Sequence, residues 1–218
     1  EELFADGRHL ATRTIERGNA GLNRETARNV DLTLRKLAGA TQFTVTAFHK
    51  RIGDYIYANT LDAVDGVRLV EYAQRDAVFN GVEGQIRRKL APTVGATLFG
   101  DLVRARLADG DGNRNLPRIP AARYGVRLDT WVQGWDAWME FYRVARQTRV
   151  EDFETQTAGY NMLNLGVNRN VRLGNTQAQV YVTASNLGNV LAFSHTSYIK
   201  EAAPLLGRRV VAGVRLQF

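Results

Sequence analysis

The chain carries three histidines and no cysteine, so any metal chemistry in it rests on imidazole and carboxylate. His195 lies in the run FSHTSYIKE and His9 in HLAT, near the start. Neutral imidazole is the commonest protein ligand for zinc and copper, so His195 and His9 are the candidate ligands. The acids Asp6, Asp62, Asp65, Asp152 and Glu201 could complete a site, and spacing selects none of them. A site requires the two histidines to approach each other or an acid. The bland alternative is two loop histidines bonded to their neighbours. His49, near the end of an alternating stretch, reads as structural.

Other chemistry-bearing patterns fail on inspection. DGDGN at Asp109 to Asn113 opens like a calcium loop, but the sixth position is Arg114 instead of Gly and the twelfth is Pro120 instead of Glu. It reads as a hydrophilic loop tip. There is no HExxH, phosphate loop, GxSxG or paired-carboxylate spacing, so no enzyme is expected. Basic residues number 29 against 22 acidic, and all but four are Arg. An Arg-rich composition alone accounts for this. The functional reading is a polar surface that guides anionic chelates, with Arg123, Arg127, Arg143, Arg169 and Arg215 as an inward basic ladder. Inward acids at Asp31, Glu83, Asp129 and Glu140 offer each arginine a partner instead.

The elements that position these residues are strands. From Arg208 to Phe218 the chain reads RRVVAGVRLQF, and Val210, Ala212, Val214, Leu216 and Phe218 alternate with mostly polar positions. Period-2 alternation is a strand with two unlike faces. At ~3.4 Å per residue and a tilt near 45°, it spans roughly 26 Å, close to the ~25 Å apolar band of an outer-membrane barrel. Similar alternation recurs over Thr26 to Leu37, from Phe43 toward Tyr57, and over Val67 to Lys89. It continues from Val94 to Leu102, from Arg123 to Asp129, less cleanly from Trp135 to Arg146, from Leu163 to Asn168, and from Ala178 to Ser185. That makes about nine strands. Residues 1–25 and the polar segment ANTLDAVDG read as loops.

The links alternate short and long, as tight periplasmic turns and long extracellular loops do. All-β, transmembrane, antiparallel meander barrel is the expected class, with residues 26–218 as barrel strands and 1–25 as an extracellular loop. A soluble β domain would bury one face, whereas here Arg, Asn, Gln and Asp fill the second face of nearly every strand. Trp131, Trp135 and Trp138 flank the turn at Gln133-Gly134 and, with Phe218, are expected to form an interfacial aromatic girdle. No run of about 18 apolar residues marks a membrane helix. Mean hydropathy is −0.29, which alternating strands also give. Glu1-Glu2-Leu3 does not open a signal peptide, so the export signal of such a protein is expected upstream. An odd number of strands with open edges is expected to be completed by strands outside this sequence.

Three stretches resemble the C-terminal part of TonB-dependent outer-membrane receptors. They are EELFADGRHLATRTIERGNAGLNRETARNVDLTLR, DGDGNRNLPRIPAARYGVRL and SNLGNVLAFSHTSYIKEAAPLLGRRVVAGVRLQF. GNAGLNRE departs from the family, which has a Pro after GN and a Lys-Pro before the Glu. The resemblance implies a barrel of about 22 strands with a plugged lumen, in the bacterial outer membrane. It implies a plug with a TonB-pairing box, neither of which is in this sequence. Partners would be outer-membrane lipid, the TonB complex through that plug, and the barrel-assembly machinery reading Phe218; no nucleic acid is expected. His9 in HLAT and the loop residue His195 resemble receptors that take up zinc, other metals or haem. No permanently bound cofactor is expected; the cargo would be a metal or metal chelate. The rivals are a passive porin and a structural or adhesive outer-membrane protein.

Overall fold

A computed structural model describes residues 2–174 and 176–217. Among them there is no helix, and eleven strands form one sheet. These are β1 (Asp6–His9), β2 (Thr14–Arg17), β3 (Thr26–Lys36), β4 (Thr41–Val64), β5 (Val67–Ala91) and β6 (Val94–Leu107). They continue as β7 (Arg123–Val132), β8 (Trp135–Val144), β9 (Tyr160–Leu173), β10 (Thr176–Ser185) and β11 (Arg209–Gln217). From β3 to β11 each strand pairs antiparallel with the next, so the all-β meander expected from the alternation is the fold. The sheet is open: among the described residues β11 pairs with β10 alone and β3 with β4 alone.

Two expectations about loops are corrected. Residues 1–25 are not wholly a loop, because β1 and β2 form a hairpin. β5 outruns β6, whose end at Leu107 pairs with Ala77. The exposed backbone of β5 beyond that point would be an open edge. β2 covers it by parallel pairing, Thr14 with Arg68 through Arg17 with Glu71. The segment ANTLDAVDG is also mostly strand, since β4 continues to Val64 and turns at Asp65-Gly66. Both turn residues have positive φ (52° and 75°), the type I′ geometry that matches strand twist. Without alternation of apolar and polar residues, this stretch carries no strand signal in the sequence.

Register assigns every side chain to a face, because directly paired residues share one. One face carries Val30, Leu32 and Leu34, then Val45, Val82, Ile86, Leu98, Leu102, Leu128, Leu165, Val180, Val182, Val210 and Val214. Most of these are substantially exposed, Leu32 at 74% and Val210 at 63%. The other face carries Thr46, Glu83, Gln85, Thr97, Arg127, Glu140, Asn164, Gln179 and Arg215. A buried apolar cluster lies at the end where the long connections meet. Ala77, Ala105, Leu107 and Leu116 are buried there, with Tyr55, Tyr57, Phe79 and Ile119 against them.

Candidate functional site

The long connections, 108–122, 145–159 and 186–208, converge at one end of the sheet with the N-terminal segment and the β4–β5 tip. Their contacts knit them together. Thr60 N donates to Glu151 Oε1 at 2.8 Å, and Asn113 Nδ2 donates to Val150 O and Asp152 Oδ1, both at 2.9 Å. Asn23 N donates to Gln74 Oε1 at 2.6 Å, tying the N-terminal segment to β5. Two guanidinium groups approach the Tyr198 ring, Arg118 Cζ at 3.9 Å and Arg68 Cζ at 5.9 Å from its centre. Arg68 also donates to Tyr198 O at 2.6 Å.

Beneath this layer lies a nearly dry polar cluster. His195, Glu154 and Lys200 have side chains 3%, 5% and 5% exposed. Lys200 Nζ donates to Thr155 O at 2.6 Å and to His195 Nδ1 at 3.3 Å, and stands 3.5 Å from Glu154 Oε1. Thr157 Oγ1 is 2.8 Å from the same Nδ1. His195 Nε2 lies 3.2 Å from Glu154 Oε1 at an angle outside hydrogen-bond geometry, so it is buried without a directed partner. The Arg118 N–H donates to Glu154 Oε1 at 3.0 Å. Burial pushes the Glu154 carboxyl up, but His195, the Arg118 N–H and the Lys200 ammonium together outweigh it and hold the carboxyl below the usual carboxylate value. Burial lowers Lys200, opposed by Glu154 and Glu201. Burial raises Glu151 against the donating Thr60 N–H.

The structure does not bring His9 and His195 into one site. His9 is exposed in the β1–β2 hairpin, its Nδ1 2.8 Å from Thr12 Oγ1, and the two histidines share no partner. The acid beside His195 is Glu154, which spacing did not select. Among the described residues no three His, Cys, Asp or Glu side chains are grouped to hold a metal. Glu201 accepts from Thr155 Oγ1, Asp62 from Ala63 N at 2.7 Å, and Asp152 from Asn113. His49 Nδ1 is 2.7 Å from Asn80 Oδ1 on the apolar side.

Below the cluster, a cavity of about 230 Å³ is bordered by His195, Thr157, Tyr160, Asp101 and Arg123. A larger one of about 470 Å³ continues down the polar face between Asp101, Arg123, Arg127, Glu83, Gln85 and Glu140. Arg123 pairs with Asp101 at 2.8 Å and Arg127 with Asp129 at 3.0 Å. Arg215 also lies on the polar face, opposite Gln179. Arg143 and Arg169 do not face inward. Arg143 is opposite Tyr124 and Asn161, and Arg169 is opposite Trp135 and Val180, all on the apolar face. The tryptophans divide likewise. Trp135 faces outward, with Arg169 Cζ 5.2 Å from its ring centre. Trp131 and Trp138 face inward, under Arg87 and Arg127, so they are not part of an outer girdle. Phe218 lies outside the described residues.

The family model described as TonB dependent receptor-like, beta-barrel matches residues 1–187. The chain belongs to this family of outer-membrane receptor barrels. The solved structure "Copper transporter OprC" superposes with a TM-score of 0.80 at 17% identity, over 90% of this chain and 32% of that one. The FrpB iron transporter from Neisseria meningitidis gives 0.68 at 17%, over 93% and 33%. BauA, the ferric preacinetobactin receptor from Acinetobacter baumannii, gives 0.63 at 14%, over 88% and 29%. The chain therefore spans about a third of the length of these receptors. In the receptor barrel the apolar face meets lipid and the polar face lines the lumen.

Proposed function

We propose that this chain is the C-terminal part of the barrel of a TonB-dependent receptor that imports a scarce metal ion, haem or a ferric chelate across the outer membrane. The observation that carries this reading is the interlocked cap of long connections above a paired, polar lumen face. An open porin has no need of a cap whose buried ion cluster fixes the last long loop. In this reading the capped end is extracellular, the remaining strands and a plug complete the receptor, and the plug meets TonB. OprC and FrpB, named for copper and iron, share the fold, which favours a metal-containing cargo.

The two histidines then divide their roles. His195 anchors the 186–208 connection, and the exposed His9 is the candidate for cargo contact. The test is uptake of labelled metals, haem and ferric siderophores by cells expressing the full-length receptor, with and without TonB. One cargo accumulating only when TonB is present is the expected result, reduced by His9→Ala. Uptake indifferent to TonB would make the protein a passive porin.

A further inference from the structure

Two arginines are held in the left-handed region of backbone space, Arg13 at φ 53° and Arg118 at φ 57°. Among the described residues the other non-glycine cases are Asp54, Asp65, Gln133, Asn186 and Asn189. Asp and Asn tolerate this region, and Gln133 belongs to the tight β7–β8 turn. Arginine gains nothing from it locally, so the surroundings must impose it. The Arg13 carbonyl accepts from Arg68 N at 3.1 Å, and the Arg118 N–H donates to Glu154 Oε1 at 3.0 Å. Residues kept in a costly backbone conformation gather at ligand sites.

Both belong to one neighbourhood. Arg118 Cζ lies 3.9 Å from the Tyr198 ring centre, and Tyr198 and Arg13 border the same cavity of about 250 Å³. Four separate segments build that cavity: the β1–β2 turn, the β4–β5 tip, and the connections 145–159 and 186–208. Arg13 and Arg68 bring guanidinium groups to it, and Phe153, Tyr198 and Ile199 bring apolar surface. Phe153 and Ile199 are exposed. Glu201 is the acid on the lining, and Thr155 Oγ1 donates to it. On the lumen face Arg123 and Arg127 each hold an aspartate within 3.0 Å. Among the described residues no carboxylate forms an ion pair with Arg13, Arg68 or Arg118. Arg68 gives one N–H to Tyr198 O at 2.6 Å and keeps the rest of its fork for another acceptor. An apolar recess with a few placed charges has the composition of a small-molecule site. Guanidinium groups take a carboxylate in bidentate fashion and also stack on flat rings.

We propose that this recess binds a small aryl carboxylate, its carboxylate on Arg13 and Arg68 and its ring against Tyr198, Phe153 and Ile199. Such a ligand touches four parts of the chain at once, so its binding tightens the cap. A bare inorganic anion would leave the apolar wall in water, and a neutral ring would leave both guanidinium groups without a counter-charge. The site goes beyond the transport reading and depends on neither TonB nor the identity of the cargo.

The purified full-length receptor in detergent would be titrated calorimetrically, against a detergent blank, with 2-naphthoate and with its uncharged analogue 2-naphthamide. Wild type should bind the carboxylate at least tenfold more tightly. The R13Q/R68Q variant should lose that preference, whereas R17Q, an exposed arginine outside the recess, should keep it. Hydrogen exchange over residues 186–208 should slow when naphthoate is added to wild type and stay unchanged in R13Q/R68Q. Absence of naphthoate binding, or equal binding of the two compounds by wild type, overturns the proposal even if the double variant fails to fold. So does an undiminished preference in a folded double variant, or displacement of naphthoate by an equal concentration of inorganic phosphate. Exchange that is unaffected by bound naphthoate overturns the tightening of the cap. Loss of TonB-dependent uptake with naphthoate binding intact would count against the transport reading alone.

Discussion

His195 Nε2 and Glu154 Oε1 stand 3.2 Å apart inside a cluster that is almost wholly withdrawn from water. Glu154 belongs to the connection between β8 and β9 and His195 to the one between β10 and β11, so the contact pins one loop to another. Lys200 Nζ stands 3.5 Å from the same Glu154 oxygen, and removing one member of such a buried ion pair costs about 3–5 kcal/mol, because the other charge is left uncompensated. Glu154 has a folded-state pKa below its usual value, so the stabilisation it supplies is present above the ordinary carboxylate range. It is lost as pH falls through the lowered value. Glu151 is shifted the opposite way and offsets part of the effect; Lys200 stays protonated through this window. Hydrogen exchange over residues 186–208, corrected for its intrinsic pH dependence, should be steady near neutrality and quicken below about pH 4.5. Glu154→Gln should be fast at every pH. A wild-type profile flat down to pH 3 would mean that Glu154 does not pin the loop.

The Tyr198 ring is the second fastening of the same connection. Cation–π contacts of this kind contribute about 0.5–2 kcal/mol. Tyr198→Ala should therefore speed protease cleavage within 186–208 by about two- to thirtyfold while leaving β7 to β10 protected. Tyr198→Phe keeps the ring and should stay near wild type. Equal loss in both variants would shift the credit to the phenolic oxygen.

The meander and its two faces were legible because alternation is a local signal that each strand repeats. Alternation left the direction of Arg143 open, and at Arg169 the residue's charge argued against it. Arg143 sits in β8, where Trp135 and Phe141 face outward while Trp138 and Tyr142 face inward, so both parities look apolar. Arg169 follows Leu163, Leu165 and Val167 in the outward series, and only its charge suggested the lumen. At a membrane rim a long charged side chain reaches water from the outer face, so charge is no guide to facing there. The parallel pairing of β2 with β5 depends on β5 outrunning β6, a fact about lengths that no single segment contains. Glu154 was missed because loops have no period; it is one acid among several in VEDFET, chosen by three-dimensional convergence.

Aromatic rings on the lumen face cover glycines directly across the sheet: Phe48 over Gly81, Trp138 over Gly166 and Tyr181 over Gly213. A Cβ on Gly166 would stand 2.5 Å from Trp138 Nε1, so even alanine must displace the indole. Overpacking of this sort costs about 1–3 kcal/mol. Gly166→Ala in the full-length receptor should lower the urea midpoint and shift tryptophan emission. In a Trp138→Ala background the same change should cost much less, the non-additivity expected of touching residues. Full additivity would show that the ring does not rest on the glycine.

The division into lipid and lumen faces makes its sharpest prediction at two adjacent residues of β6. Leu98 is 60% exposed on the apolar face, and Thr97 lines the larger cavity on the polar face. A lysine facing lipid near the bilayer midplane costs about 2–4 kcal/mol, whereas one facing a wet lumen meets water and neighbouring carboxylates. Glu83 and Glu140 border the same cavity as Thr97. Leu98→Lys should therefore reduce the free energy of folding into phosphatidylcholine vesicles by roughly that amount, read from urea titrations, and Thr97→Lys by under about 1 kcal/mol. The two positions are neighbours in sequence and share a strand, so propensity and turn effects cancel between them. Equal costs would remove the two-faced reading of the sheet, and a reversed order would turn the sheet inside out.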